Sequence, residues 1–242
     1  MPTPPDWPIP RQRSIIWAAD LKGPNAFELL FSNLLTIGGP RGLGAVKVGM
    51  TLTERFGLSP VVKVVHDFGF LAIWDHQKAG TDIPDMGEKF AELAAEAEVD
   101  AVIIFPLTGP VTQRVWTEAC MEVGVPVIIG GDMTHVGYLA RDGGYIADGA
   151  PERMYGLGVD MGVRHFVVPG NKPEEVTYYR EQLESWAHGG VTLYAPGFVA
   201  QGGEITEAGK VAGTRWHAIV GRGITNAEDP RAAVEELASQ LG

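Results

Sequence analysis

Residues 71–105, LAIWDHQKAGTDIPDMGEKFAELAAEAEVDAVIIF, form the stretch from which the fold is most readily predicted. An apolar run over 71–77 comes first and ends in polar and charged residues. A segment over 84–97 follows, whose apolar residues recur every three or four positions, and a second apolar run covers 101–105. Short runs of this kind are typical of strands buried on both faces, whereas the spacing between them is typical of an amphipathic helix. The stretch therefore predicts two parallel strands joined by a helix.

The same alternation extends over the rest of the chain. The other predicted strands are 14–20, 45–49, 125–130, 165–169, 191–195 and 217–220, and the other clear helices are 111–123, 173–186 and 230–241. Eight strands alternating with helices in 242 residues is the count of a single-domain (β/α)8 TIM barrel of class α/β. A doubly wound open sheet is the structural alternative, although it would normally contain fewer strands. We predict an extended Pro-rich arm over residues 1–13 and a barrel domain over residues 14–242.

Composition restricts the classes of partner. The formal net charge of −11 argues against nucleic acid or an anionic membrane as the main partner, but a small anionic substrate needs only a few placed donors. The single cysteine, Cys120, excludes an intrachain disulfide and a thiolate metal cluster, and its helical surroundings favour an inert buried thiol. The six histidines have no metal-ligand spacing, so we predict no metal. Without a long apolar run or a secretory signal pattern, the expected location is the cytoplasm.

The ends of the predicted strands carry an unusual number of charged and polar residues. In a TIM barrel these ends face the active site, and charges there are costly to bury unless they are paired or used. The residues are Asp20, Lys47, Asp75, Lys78, Asp82, Thr134, Pro196, Gln201 and Arg222. The pattern therefore predicts a functional site at the carboxyl ends of the strands.

The third strand opens into the most informative part of this site. Asp75, Lys78 and Asp82 follow the apolar run directly, and such alternating charges keep one another ionised in a partly dry site. A solvated loop with ordinary surface ion pairs is the alternative. Residues two apart on a strand face the same side, whereas Asp75 and Lys78 are three apart, so His76 competes with Asp75 for the inward position.

Two glycine-containing motifs follow the seventh and eighth predicted strands. PGFVAQGG begins at Pro196 and contains Gln201 and Gly202, while VGRG contains Gly221 and Arg222. The glycines alone could simply make turns. Together, however, the motifs offer accessible backbone N–H groups, an amide and a guanidinium in the two loops that often bind phosphate in this fold. They predict a phosphorylated substrate.

These motifs resemble the orotidine 5′-phosphate decarboxylase family. The family pattern of Asp, one residue, Lys, two residues and Asp-Ile-Pro is similar to Asp75–Lys78–Asp82, with one extra residue in each gap. Lys47 in AVKVG and Asp20 at the end of the first strand also match the family. The resemblance implies conversion of orotidine monophosphate to uridine monophosphate and CO2, the last step of de novo pyrimidine nucleotide synthesis, without a cofactor.

The resemblance also implies a role for each residue. Asp75 would crowd the substrate carboxylate, Lys78 would stabilise the carbanion and protonate C6, and Lys47 and Asp82 would complete the charge array. The implied substrate-binding residues are Asp20, Thr134 (which would read the pyrimidine), Pro196, Gln201, Gly202, Gly221 and Arg222. The family further implies a homodimer with shared sites, in which Asp82 enters the partner's pocket.

Three alternatives remain open on the sequence. A Mg2+-dependent sugar-phosphate decarboxylase or aldolase on the same barrel is expected to carry a Glu soon after Lys47, whereas Glu54 comes only further on. A sugar-phosphate isomerase or epimerase is the second alternative enzyme. A non-catalytic barrel that binds a nucleotide is favoured by one feature, the altered spacing between Asp75 and Lys78.

Overall fold

The computed structural model describes residues 9–39, 42–76 and 79–242. In this part of the chain, eight parallel strands close into a barrel, each paired with the next and the last with the first. The strands are β1 Arg13–Ala18, β2 Leu43–Gly49, β3 Leu71–Asp75, β4 Ala101–Ile104, β5 Val127–Gly130, β6 His165–Val167, β7 Thr192–Pro196 and β8 Trp216–Val220. The predicted (β/α)8 barrel is confirmed, and the open sheet is excluded.

Helices follow the strands around the outside of the barrel. They are α1 Ala26–Ile37, α2 Met50–Phe56, α3 Leu58–Asp67, α4 Gly87–Glu96, α5 Pro110–Glu122, α6 Ala150–Asp160, α7 Pro173–Trp186, α8 Ile205–Val211, α9 Arg222–Thr225 and α10 Pro230–Ser239. Proline in the first turn fits because a helix leaves its first N–H groups unpaired, as in α7 and α10. Asp229 also caps α10 by accepting from the backbone N–H groups of Arg231 and Ala232.

The predicted boundaries differ from the observed ones by a few residues. Strand β1 ends at Ala18 rather than at residue 20, because the Asp20 N–H turns back to the Ala18 carbonyl. The predicted helix over 84–97 divides into a 3-10 turn, Pro84–Met86, and helix α4. Strand β1 begins at Arg13, the last residue of the predicted arm. Residues 1–8 of the arm lie outside the described residues, whereas Ile9 is buried at the base of the barrel.

Two separate apolar layers explain why the strands are apolar throughout. Ile16, Ile73 and Ile128 belong to the layer that fills the barrel, whereas Trp17 and Trp74 belong to the larger layer between strands and helices. Neighbouring residues on a strand point to opposite faces, so both alternating sets are buried. This alternation also decides which residue at each strand end points into the mouth of the barrel.

Candidate active site

A cavity of about 740 Å³ opens at the carboxyl ends of the strands. Its lining brings together seven of the predicted site residues: Asp20, Lys47, Asp75, Pro196, Gln201, Gly221 and Arg222. They come from strand ends and loops on β1, β2, β3, β7 and β8, which are far apart in the chain but adjacent around the closed barrel. The cavity has the position and the mixed polar and apolar lining expected for a small-molecule site.

Lys47 is the centre of a charged cluster at the bottom of this cavity. Its Nζ donates to Asp75 Oδ2 at 2.7 Å and lies 3.8 Å from Asp20 Oδ1. The side chains of Lys47 and Asp75 are 10% and 12% exposed, whereas that of Asp20 is 55% exposed. Burial opposes the charged form of Lys47, but attraction to Asp75 and Asp20 outweighs it and raises the pKa above its ordinary value of 10.5. Lys47 is therefore a fixed positive charge.

Strand alternation places both members of the buried pair. Lys47 lies two residues after Ala45, and Asp75 lies two residues after Ile73; both of these apolar residues belong to the layer inside the barrel. His76 points to the other side. Its Nε2 is 3.2 Å from Glu54 Oε1, and its ring meets Trp74 edge to face at 5.3 Å between centroids. Asp75, and not His76, faces the cavity.

Close approach of the backbone brings these strands together. A Cβ on Gly49 would lie 3.2 Å from the Asp75 carbonyl oxygen and 3.4 Å from Asp20 Oδ1. Any larger residue at this position would push against both carboxylate-bearing segments. Gly49 thus gives the end of β2 the room in which Lys47 meets its two partners.

Lys78, the predicted proton donor, lies outside the described residues. The chain on its C-terminal side is held against β4, because the Phe105 N–H donates to the Ala79 carbonyl at 3.0 Å. The Ala79 N–H donates to the His76 carbonyl at 2.8 Å. These bonds fix His76 and Ala79, the described residues on either side of positions 77 and 78.

Asp82 is not among the described residues that line this cavity. Its carbonyl accepts hydrogen bonds from Thr108 and Thr112, and its Oδ1 accepts from the Ile83 N–H at 2.7 Å. The Ile83 carbonyl accepts from Trp116 Nε1, while the Ile83 side chain is 58% exposed. The Asp82 loop is therefore anchored to α5 at the outer edge of the mouth.

Thr134 and Gly202 stand next to the cavity rather than in its lining. A Cβ on Gly197, which does line the cavity, would lie 3.0 Å from Thr134 Cγ2. Gly202 has a φ of +82° in the turn after β7, where its N–H donates to the Val199 carbonyl. That turn presents Gln201 to the cavity. Arg222 joins the same end, with Nη2 3.5 Å from the Ala200 carbonyl oxygen.

Four polar or charged lining residues were not singled out from the sequence: Lys22, Asn33, Thr225 and Asn226. Lys22 had a usable signal, because it lies two residues after Asp20 just past a strand end. Asn33 is on helix α1, and only the packing of that helix beside β1 and β2 brings it to the cavity. Thr225 is oriented by a hydrogen bond that its Oγ1 accepts from Trp17 Nε1 at 3.0 Å.

Other features of the described residues limit the chemistry. Cys120 is buried, and burial raises the pKa of its thiol to about 12, which makes it a poor nucleophile. Within residues 9–39, 42–76 and 79–242, no group of three or more His, Cys, Asp or Glu residues is arranged to hold a metal ion. No helix in these ranges is long and apolar enough to cross a membrane.

The closed barrel and its charged cavity place the protein among TIM-barrel proteins with a site at the carboxyl ends of the strands. Within this class, the chain belongs to the orotidine 5′-phosphate decarboxylase / HUMPS family, whose family model matches residues 34–237.

Individual relatives agree with this assignment. The chain is 32% identical over 196 residues to the orotidine 5′-phosphate decarboxylase of Pyrococcus abyssi, covering 81% of this chain and 86% of that protein. It is 31% identical over 197 residues to that of Methanosarcina barkeri, covering 81% and 82%. The fold is similar to orotidine 5′-monophosphate decarboxylase of Methanocaldococcus jannaschii complexed with the inhibitor BMP, with a TM-score of 0.78, 20% identity and coverage of 95% and 99%.

Proposed function

We propose that this protein decarboxylates orotidine 5′-monophosphate to uridine 5′-monophosphate and CO2. The observation that carries the proposal is the buried Lys47–Asp75 pair, at 2.7 Å, in a cavity that also contains Gln201 and Arg222. Membership of the family supports the same activity. One end of the cavity thus offers fixed charges to a reacting group, and the other offers donors to a phosphate.

Loss of CO2 from the pyrimidine ring leaves a carbanion at C6 with no attached electron sink. The rate must therefore come from preorganised charges and from binding energy applied at the reacting end. The Asp75 carboxylate is fixed in place by its 2.7 Å bond from Lys47, and we assign it to the position beside the substrate carboxylate. We assign to Lys78 the positive charge that stabilises the carbanion and the proton that C6 receives.

The opposite end of the cavity suits the phosphate monoester. Gln201 and Arg222 come from the loops after β7 and β8, Gly221 lines the cavity beside Arg222, and Gly202 forms the turn that follows Gln201. Pro196, at the end of β7, also lines the cavity. We further assign Asp20 to the ribose hydroxyls and Thr134 to the pyrimidine edge, because Asp20 is half exposed in the cavity and Thr134 adjoins Gly197.

One observation argues against the Mg2+-dependent sugar-phosphate alternative. Such a site needs an additional carboxylate near Lys47 to coordinate the ion. Glu54 is the next acidic residue in the chain, but its carboxylate pairs with His76 at 3.2 Å and is not part of the described cavity lining. We therefore propose a reaction that needs neither a metal nor another cofactor.

We also propose a homodimer whose sites are completed by Asp82 of the partner subunit. The exposed Ile83 beside Asp82 supports this arrangement, since it offers apolar surface next to the charged group at the rim. The cytoplasm is the proposed location, because a charged nucleotide crosses lipid bilayers poorly and is best converted where it is made.

The proposed function is tested by the fall in absorbance when orotidine monophosphate is added in the presence of excess chelator. We expect turnover by the wild type, unchanged after exhaustive chelation. Lys78→Ala should abolish turnover while keeping affinity for uridine monophosphate within about tenfold of wild type. Lys63→Ala, on the exposed face of α3, is the matched control and should retain full activity. Turnover that depends on added Mg2+ would favour the sugar-phosphate alternative, and nucleotide binding without turnover would indicate a non-catalytic barrel.

A further inference from the structure

The segment after β5, residues 131–134, has no regular secondary structure, yet side chains hold its backbone at four points. The bonds are Asp132 N–H to Tyr155 Oη at 3.2 Å, Met133 N–H to Asp132 Oδ1 at 2.7 Å, Lys172 Nζ to the Met133 carbonyl at 2.9 Å, and Asn171 Nδ2 to the Thr134 carbonyl at 3.1 Å. Backbone groups that leave a sheet need such partners when they are buried. The segment that ends at Thr134 is therefore fixed by Asp132 and by three side chains from later in the chain.

Asp132 and Lys172 depend on each other within this arrangement. The Asp132 side chain is 0% exposed, so its negative charge needs compensation. Tyr179 donates to its Oδ2 at 3.2 Å, and the Lys172 Nζ lies 3.7 Å from its Oδ1. The same ammonium group donates to the Met133 carbonyl. Removing it would leave the buried Asp132 carboxylate without its paired cation and the Met133 carbonyl without its hydrogen-bond donor.

The loop that carries Lys172 also touches the loop after β7. A Cβ on Gly203 would lie 3.0 Å from Asn171 Cα, and a Cβ on Gly197 would lie 3.1 Å from Asn171 Cβ. Gly197 is in contact distance of Thr134 as well and lines the cavity. A shift of residues 132–134 would therefore change the edge of the cavity beside Pro196.

We infer that Asp132 and Lys172 are a positioning pair that holds Thr134 at the pyrimidine end of the cavity. The inference rests on the proposed function, because it is the pyrimidine of the substrate that Thr134 would contact. Neither member of the pair touches the substrate. They affect the rate indirectly, because they fix the backbone of Met133 and Thr134.

The test is a double-mutant cycle between Lys172 and Thr134, measured as kcat/KM for orotidine monophosphate. Lys172→Met keeps the length of the side chain but removes the donor, and it should lower kcat/KM by about 10- to 100-fold, as lost support of a site residue does. Thr134→Ala should cost much less in the Lys172→Met background than in the wild type, since Thr134 is already displaced. Lys172→Arg should retain most of the wild-type kcat/KM, because a guanidinium can donate to both the Met133 carbonyl and the Asp132 carboxylate. Lys63→Met is the surface control and should change nothing.

A second variant separates positioning from folding. The double variant D132N/K172M removes both charges, so it buries no unpaired carboxylate and should remain folded by thermal unfolding even where Lys172→Met does not. It should show the same reduced sensitivity to Thr134→Ala. Additive losses in an active enzyme, or wild-type kcat/KM in Lys172→Met, would overturn the inference but not the proposed function. A wild-type protein that binds uridine monophosphate but releases no CO2 would overturn the proposed function and the inference with it.

Discussion

Asp75 and His76 illustrate how a single position is decided by strand geometry. From the sequence, either residue could point into the barrel, because the motif has one extra residue between Asp75 and Lys78 and another between Lys78 and Asp82. The structure places Asp75 in register with Gly49 and in the inward series that contains Ile73. The outward His76 pairs with Glu54, which lies in helix α2. That partner could not be predicted from the pattern of the third strand alone.

Arg222 allows a prediction about how binding energy is distributed. Its guanidinium is exposed at the rim of the cavity and lies near the Ala200 carbonyl, so it can bind the phosphate of a substrate that enters the cavity. Arg222→Ala should lose about 2–5 kcal/mol of transition-state stabilisation, the range for breaking a charged pair. The measurement is kcat/KM for orotidine monophosphate and for the nucleoside without its phosphate. Equal losses on both substrates would mean that Arg222 does not bind the phosphate.

Among the elements, the strands were predicted far better than the connections between them. All eight strands were found from apolar runs, because strands buried on both faces have a simple local signature. The Asp132–Lys172 pair was not predicted, since it joins two loops that are separated in the chain by helix α6 and strand β6. Contacts between loops depend on how the barrel closes, which no local pattern encodes.

The turn between β3 and β4 gives a prediction at the level of an element. Gly80 has a φ of +78°, and a Cβ there would lie 2.5 Å from Ile104 Cγ2 and 3.0 Å from the Phe105 carbonyl oxygen. Gly124 has a φ of +79°, but a Cβ there would meet nothing within 4 Å. Gly124→Ala should therefore cost about 1 kcal/mol of stability from backbone strain alone.

Gly80→Ala should cost about 1–3 kcal/mol more than Gly124→Ala, because overpacking adds to the same strain. The free energy of unfolding in urea measures both variants. Decarboxylation should fall only for Gly80→Ala, since its turn leads from Asp75 to Asp82. Equal losses of stability would show that the contacts of Gly80 with β4 have no energetic effect.

For the whole molecule, two histidines inside the base of the barrel predict a loss of stability in acid. Burial, and then the charge of Arg215, lowers the pKa of His165 to about 4. Burial first, and then His165 and Arg215, lowers the pKa of His217 to about 3. His217 Nδ1 is 2.8 Å from Ser14 Oγ, and His165 Nδ1 is 3.2 Å from the Tyr194 hydroxyl. Both rings are therefore neutral in the folded protein.

The unfolded chain takes up these protons near the ordinary pKa of 6.5. The stabilising effect is thus complete above that pH and is lost as the pH falls from 6.5 towards 4. In that window each histidine should reduce the free energy of unfolding by about 1.4 kcal/mol per pH unit. His217→Asn should make the pH dependence shallower, whereas His188→Asn at an exposed position should leave it unchanged. An unchanged slope in the His217 variant would contradict the prediction.

Assembly gives the last prediction, which concerns two copies of the chain. If Asp82 enters the partner's pocket, a site uses Lys47 and Lys78 from one chain and Asp82 from the other, and two-fold symmetry makes the exchange mutual. Inactive Lys78→Ala and Asp82→Ala proteins, mixed in equal amounts and allowed to exchange, should form about half heterodimers, each with one intact site, so about a quarter of all sites regain activity. A mixture of Lys78→Ala and Lys47→Ala is the matched control and should stay inactive, because both lysines serve the barrel of their own chain. Activity of neither mixture, with exchange demonstrated by mass labelling, would mean that Asp82 acts within its own chain.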